Sequence, residues 1–423
     1  MTELTRREFG KILLSAGGSL FLPDRLLDAL PEKEALSLKW KEIGPSLKNN
    51  DGVRSLIINP RDPEQILAST YDKGTQISND GGSTWNTLAV PHPADISSNT
   101  NTARDMVPLR DNCVLLLADY SISVYKFGDE QVKIDASISE NKMSGGPQTG
   151  CVVGSDLIIA GFGGAYKTSL SRLMNHTNGI FDWGKPIPFE NLSFHMIRSI
   201  AYDQKNRLIY AGGCLSPKDE ETGRLWSGTG LYISKDGGKS FSEHSLHDQM
   251  KDPNGLMSIN TITCLNYKGH DLVLIGGEGN GSGQRYSGEE LPFFRILIDG
   301  KLYDRVLCNN QGLSEACGYG LVTPQRGIVA DPQLGIAFIS MFGAEIAGFN
   351  LDDIIEGRKI DYQVVTKPKF GETYFGAGHL CLTRTSPNRS QIATGGAIFT
   401  SNSPVQVRVA EITTPNDSMH QTV

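Results

Sequence analysis

Apolar and β-branched residues fall in short runs along this chain, and Gly, Asn, Asp and Pro separate one run from the next. Runs of this size, with no sustained helical period after residue 36, predict antiparallel strands. Two stretches share a longer order. Residues 53–58 (V-R-S-L-I-I), 65–70 (Q-I-L-A-S-T) and 75–77 (T-Q-I) lead into S-N-D-G-G-S-T-W at 78–85. Residues 197–202 (I-R-S-I-A-Y), 207–212 (R-L-I-Y-A-G) and 230–233 (G-L-Y-I) lead into S-K-D-G-G-K-S-F at 234–241. Each unit predicts three strands, a tight turn, and a fourth strand that begins at the aromatic residue.

Weaker copies begin near Arg104, Gly150, Thr261, Gly327 and Leu380, each a pair of runs such as I-T-C-L followed by L-V-L-I-G-G. Seven units at intervals of about 45–65 residues have the period of a repeat architecture. The fold predicted is all-β: a seven-bladed β-propeller of four-stranded antiparallel sheets, without helices. The ring must close, and either 38–43 (L-K-W-K-E-I) or 405–412 (V-Q-V-R-V-A-E-I) supplies the fourth strand of the last blade, with both ends of the chain side by side. The expected domains are 1–35 for a leader and linker, 36–415 for the propeller and 416–423 for a tail.

The repeated turn has a physical reading. Asp80 and Asp236 are placed to accept hydrogen bonds from turn N–H groups, as in Asx turns. Gly81, Gly82, Gly237 and Gly238 supply freedom for positive φ, and Trp85 and Phe241 are expected to pack between neighbouring blades. Asp80, Trp85, Asp236 and Phe241 therefore read as structural. With the strand pattern before them, these turns resemble the Asp-box, or bacterial neuraminidase repeat, of exported propellers. That family includes xyloglucan-hydrolysing glycosidases, sortilin-type receptor domains and photosystem II assembly factors. The resemblance covers about residues 40–415 as architecture and implies a fold, not one activity.

Composition narrows the classes. The 423 residues include 47 Gly and 20 Pro, and the hydrophobic share of 39% is ample for a large core rich in turns. A net charge of −7 offers no general attraction to nucleic acid or anionic lipid. Cysteines at 113, 151, 214, 264, 308, 317 and 381 show no C-x-x-C spacing, so neither a zinc site nor a thioredoxin-like motif is expected. In an oxidising compartment Cys308 and Cys317 could pair; buried free thiols are the other reading. No haem or dinucleotide fingerprint occurs, and no cofactor or metal is expected.

At the start of the chain, Arg6 and Arg7 precede Glu8, Phe9, Gly10 and Lys11, and residues 12–22 form an apolar run diluted by glycine. A run of about eleven residues is too short to span a bilayer, which needs roughly 20. The segment resembles a twin-arginine export signal, which implies a bacterial, periplasmic or secreted protein with no membrane span after export. A surface amphipathic helix is the other reading.

Topology locates the functional face. In a four-stranded meander, the turns after the first and third strands leave one face, and the second-to-third and interblade connections leave the other. The aspartate turns mark the first face, so a ligand is expected on the second. Long second-to-third connections in the fourth and fifth units carry Arg224, Trp226, Arg285, Tyr286 and Glu289, with Glu278 at the start of the latter. Arg54, His195, Arg198 and His379 precede or open first strands on the same face, and Arg54 and Arg198 hold equivalent repeat positions. A Trp and a Tyr among arginines and carboxylates suit a glycan or a peptide. The favoured function is a monomeric binding or assembly module for a protein or glycan ligand. Glycoside hydrolysis is the alternative; it needs two carboxylates flanking a bond, from Asp72, Glu278 and Glu289. Three departures weigh against it: one propeller offers no cleft between tandem rings, the T-D-x-G-G of the xyloglucan hydrolases that the chain resembles is Thr70-Tyr71-Asp72-Lys73-Gly74 here, and the sialidase-like F-R-I-L at 294–297 arrives late and lacks Pro.

Overall fold

The computed structural model describes residues 38–47, 52–70, 73–88, 102–118, 121–129, 132–137, 146–176, 179–190, 196–214, 231–244, 256–279, 294–303, 327–340, 346–358, 360, 363–366, 379–395 and 405–413. They form seven antiparallel sheets arranged as the blades of a β-propeller. After β1 (Lys41–Leu47), blade 1 holds β2 (Val53–Ile58), β3 (Ile66–Thr70), β4 (Gly74–Ser78) and β5 (Asn86–Thr87). Blade 2 holds β6 (Ala103–Pro108), β7 (Cys113–Ala118), β8 (Ser121–Lys126) and β9 (Val132–Ser137). Blade 3 holds β10 (Pro147–Val153), β11 (Asp156–Gly161) and β12 (Gly164–Ser169), followed by α1 (Leu170–Met174) and β13 (Gly179–Ile180). Blade 4 holds β14 (Met196–Asp203), β15 (Leu208–Cys214), β16 (Leu231–Ser234) and β17 (Ser242–His244). Blade 5 holds β18 (Leu256–Tyr267), β19 (His270–Gly279), β20 (Phe294–Ile298) and β21 (Lys301–Leu302). Blade 6 holds β22 (Ile328–Asp331), β23 (Ile336–Ser340), β24 (Ile346–Asn350), α2 (Leu351–Ile355) and β25 (Gln363–Thr366). Blade 7 holds β26 (Leu380–Ser386), β27 (Arg389–Gly395) and β28 (Val405–Thr413).

Second strands explain why the sequence reads as apolar runs rather than strict alternation. β3, β7 and β23 are buried at every position, because each blade packs a neighbour on both faces. Burying one Leu or Ile side chain contributes about 1.5–3 kcal/mol, so these strands supply much of the core. First strands pack against one another in order around the hub. Side chains link them across blade boundaries. Ser55 Oγ donates to Ala103 O (3.1 Å), Ser199 Oγ accepts from Ile262 N–H (2.9 Å), and Thr263 Oγ1 donates to Ile328 O (2.7 Å). Thr383 Oγ1 donates to Ile58 O (3.3 Å), which joins the last blade to the first.

Closure uses both chain-end candidates. The sheet order is β1-β28-β27-β26, so 405–413 forms the third strand and 41–47 the fourth. β1 pairs antiparallel with β28, and Glu42 Oε1 meets Arg408 Nη2 at 3.1 Å.

Three expectations need correction. Helices are present: α1 and α2 come directly after the third strand in blades 3 and 6. Each is one short turn, too brief to leave a helical period in the sequence. Ser169 caps α1 by accepting from Arg172 N–H (3.2 Å), and Leu173 is its buried residue. Blade 3 also has three strands rather than four. Its would-be fourth strand contains Pro186 and Pro188, which lack the N–H groups a ladder needs. Between the two prolines Ile187 bonds back, its N–H to Ala165 O (2.8 Å). The segment 179–190 acts instead as a strap. β13 joins blade 2 parallel to β9, and Phe189 bridges Phe241 beside blade 4. Finally, fourth strands begin after the aromatic residue, at Asn86 and Ser242, because Trp85 and Phe241 anchor to neighbouring segments.

A period of three blades runs through the third-to-fourth connections. Blades 1 and 4 use the aspartate turn, blades 2 and 5 a short turn, and blades 3 and 6 a helix. The helix starts match: Leu170 N–H bonds Ser155 O and Leu351 N–H bonds Gly335 O, both at 2.8 Å.

Candidate functional site

The mouth of the hub, where the first strands begin, carries a repeated irregularity. In β2, β6, β10, β14 and β18 the pairing to the second strand skips one residue at this level, and β18 skips a further one, Met257, nearer its start. The extra residues at the shared level are Arg54, Arg104, Gln148, Arg198 and Asn260. A bulge of this kind adds local twist and re-aims a side chain, and it recurs here at one level of consecutive blades. Small residues end the facing strands. A Cβ on Gly161 would sit 2.5 Å from Gly146 O, one on Gly213 would collide with Met196 O, and one on Gly212 would lie 2.5 Å from Ile259. The glycines at the ends of second strands thus allow bulge and neighbouring blade to approach.

The residue after each bulge is small or acidic and buried: Ser55, Asp105, Thr149, Ser199 and Thr261. Asp105 is 2% exposed; its Oδ1 accepts from Met106 N–H (2.8 Å) and its Oδ2 from Thr149 Oγ1 (3.3 Å). Arg198 Nη1 donates to Asn260 Oδ1 (2.7 Å), so bulge residues of adjacent blades touch. His379 is buried just before β26, on the same face in blade 7.

Of the other expected site residues, Asp72, His195, Arg224, Trp226, Arg285, Tyr286 and Glu289 lie outside the described residues. Glu278 is placed by its backbone alone, paired with Ser258 at the mouth end of β19. The export segment, Cys308 and Cys317 also lie outside the described residues. Gln148 and Asn260 were not picked out from sequence. Their signal was indirect: a Gly or Gly-Gly closing the facing strand, as in I-I-A-G and L-I-G-G.

The aspartate turns lie at the far end. First and third strands run away from the mouth, so the connections after both leave the opposite face. Ser78 Oγ donates to Asp80 Oδ1 (2.9 Å) and accepts from Gly82 N–H (2.7 Å). Thr84 donates to Asp80 through its N–H (2.8 Å) and its hydroxyl (2.6 Å). The Thr84 side chain first, then its N–H, holds the Asp80 carboxyl down at about 2. Trp85 Nε1 donates to Ile43 O (2.8 Å) on β1 and to Gly82 O (3.0 Å). Blade 4 repeats the set: Ser234 Oγ to Asp236 Oδ1 (2.8 Å), Gly238 N–H to Ser234 Oγ (2.8 Å), and Ser240 Oγ to Asp236 Oδ2 (2.6 Å). Burial pushes the Asp236 carboxyl up, but bonds from Ser240, Ser234 and Lys239 outweigh it and hold it well below the usual range. Phe241 stacks on Phe189, with centroids 4.4 Å apart and planes 4° from parallel.

A second buried carboxylate went unread in the sequence. Asp331, 5% exposed, binds Arg384 Nη2 (2.6 Å), the Ser390 hydroxyl and Gln333 N–H (2.9 Å). It ties blade 6 to blade 7 at the far face. Among the described residues no group of three His, Cys, Asp or Glu is placed to hold a metal, and no helix is long and apolar enough to cross a membrane.

Sheets and ring together define the chain as a seven-bladed β-propeller. No protein-family model matches it, and no curated protein sequence does. Among solved structures it is similar to the WD40 repeats of RRP9, at 12% identity over 89% of this chain and 98% of that one, with a TM-score of 0.52. U3-55K is similar at 12% identity, covering 88% and 98%, with a TM-score of 0.52. YCF48 bound to D1 peptide gives 10% identity, 93% and 100% coverage, and a TM-score of 0.49. At these identities the likeness is one of fold.

Proposed function

We propose that this chain is an exported binding or assembly module that holds a protein or glycan ligand at the mouth of its hub. The observation that carries this reading is the bulge recurring in five consecutive first strands. It gathers three arginines, a glutamine and an asparagine at one level of the ring. Guanidinium groups grip carboxylates and polar oxygens through two parallel hydrogen bonds. Gln148 and Asn260 are buried behind them, and Asn260 Oδ1 holds the Arg198 guanidinium in place. β15 and β19 both end at this same face.

The test is ligand capture from a periplasmic extract and a glycan array, comparing the wild type with Arg54→Ala and Arg104→Ala. Each substitution is expected to weaken capture of the same ligand by about tenfold, the loss of one charge-assisted contact. Equal capture by wild type and both variants overturns the reading, and cleavage of a captured glycan converts it to hydrolysis.

A further inference from the structure

The far-face corner of blade 4 carries a second feature, independent of the hub. Between the strap and the aspartate turn runs an open groove of about 370 Å³. Its walls include Pro188, Phe189 and Glu190 on one side and Lys235, Ser240 and Phe241 on the other. Half-buried Phe189 makes an apolar floor, backed by the buried Phe241 stacked on it and fixed by bonds from Glu190 N–H to Phe241 O (2.9 Å) and from Phe241 N–H to Pro188 O (3.0 Å).

Beside this floor stand three exposed cations. Lys235 and Lys239 flank the turn, and Arg207 ends the connection into β15. Because Ile209 pairs with Ser234, Arg207 and Lys235 are near neighbours at the ends of adjacent strands. Among the described residues, none of the three has a carboxylate within ion-pair distance, whereas nearby Lys205 is bound to Asp271 at 2.9 Å. Lys167, paired with Asp156 at 2.8 Å, also reaches this turn and donates to Gly237 O (2.7 Å). Asp236 is engaged in the turn's own hydrogen bonds, while Glu190 on the strap and Glu243 on β17 lie along the outer edge. The corner is thus basic at its tip and acidic at its rim, with the aromatic floor between.

Blade 1 shows that the scaffold does not need these cations. The same turn there has Asn79 and Ser83 in place of Lys235 and Lys239, and Glu64 stands two residues before β3 as Arg207 stands two before Ile209. We propose that the blade 4 corner is a docking surface for an acidic peptide segment, with an apolar side chain seated on Phe189 and its carboxylates against Lys235, Lys239 and Arg207. Charge complementarity selects that occupant. A purely apolar partner would leave the cations unmatched, and a basic one would be repelled at the tip.

The test uses a short labelled peptide carrying one Trp followed by a run of Glu. Its binding to the full chain is compared with binding to a variant given blade 1's own residues, Arg207→Glu, Lys235→Asn and Lys239→Ser. That variant is expected to keep its thermal midpoint, because blade 1 folds with those residues, and to keep its hub ligand. Peptide affinity is expected to fall by about tenfold or more, and wild-type binding to weaken as salt rises from about 0.05 to 0.5 M. Phe189→Leu, a second variant, is expected to weaken binding without changing its salt dependence. Equal binding by wild type and graft overturns the proposal, as does equal binding of the peptide with Lys in place of Glu. Binding of phosphatidylglycerol vesicles that the graft abolishes, with no binding of the peptide, also overturns it, by assigning the cations to lipid.

Discussion

At the far end of blade 1 the aspartate turn leans on β1, whereas at the far end of blade 4 it leans on β11 of the preceding blade. A Cβ on Gly82 would lie 2.5 Å from Ile43, and one on Gly238 would lie 2.5 Å from Ile158 Cδ1. Both corners keep the serine, the aspartate and the hydroxyl that closes the turn, with bond lengths that agree closely. What differs is the aromatic anchor and the charge of the exposed positions. The hydrogen-bonded loop and the close approach of its second glycine are therefore what the propeller requires. The remaining residues are left to carry surface chemistry.

The strongest way to break the comparison is at the glycines. Gly82 has φ +88° and Gly238 φ +81°, and each meets a buried isoleucine; Gly237 has φ +73° and faces open space. Alanine at Gly82 or Gly238 combines left-handed strain of about 1–2 kcal/mol with overpacking of about 1–3 kcal/mol, a loss of about 2–5 kcal/mol. Gly237→Ala carries only the strain, about 1–2 kcal/mol. Chemical denaturation of the three variants checks the order. If Gly237→Ala proves as damaging as Gly238→Ala, close packing on Ile158 is not the reason for the glycine.

Acid sharpens the same comparison. Asp80 has a folded pKa depressed to about 2, and Asp236 is also held well below its ordinary value. A depressed carboxyl stabilises the fold above the unfolded pKa of about 4, and that contribution is lost as pH falls through the folded value. Asp80→Asn and Asp236→Asn are therefore expected to melt below the wild type at pH 7, and the gap to close between about pH 4 and pH 2 for Asp80. A gap that persists unchanged at pH 2 for Asp80→Asn would show that the carboxylate's charge is not what closes the turn.

Much of this architecture was legible because blades repeat. The units at 53–88 and 197–244 fall where the strand pattern placed them, and the weaker copies start first strands within a few residues of the expected positions. The departures share one physical origin, in which short-range chemistry overrides the repeat. Pro186 and Pro188 remove ladder donors and turn a strand into a strap, and L-S-R-L-M and L-D-D-I-I are too short to announce a helix. The hub rim was half legible. Arg54 and Arg198 stood out by equivalence, but a bulge leaves no pattern in one strand, and Gln148 and Asn260 emerge only when its register against the facing glycines is known.

The smallest effects separate the two anchors. Trp85 donates two hydrogen bonds, one of them to Ile43 O on the closing strand β1, and is only partly buried. Trp85→Phe keeps the ring contact and loses both bonds, so its cost is about 1 kcal/mol. Phe241 is 2% exposed and holds the strap through its stack on Phe189. Phe241→Leu loses that aromatic pairing, about 0.5–1.5 kcal/mol. Stability alone would not tell these substitutions apart, but local opening does. Trp85→Phe is expected to speed hydrogen exchange in β1 and β28 by about fivefold, the factor that 1 kcal/mol implies, and to leave 179–190 unchanged. Phe241→Leu is expected to do the reverse. Should both variants loosen the same segment, the two corners are not separate fastenings, and the ring opens as one cooperative unit rather than at either turn.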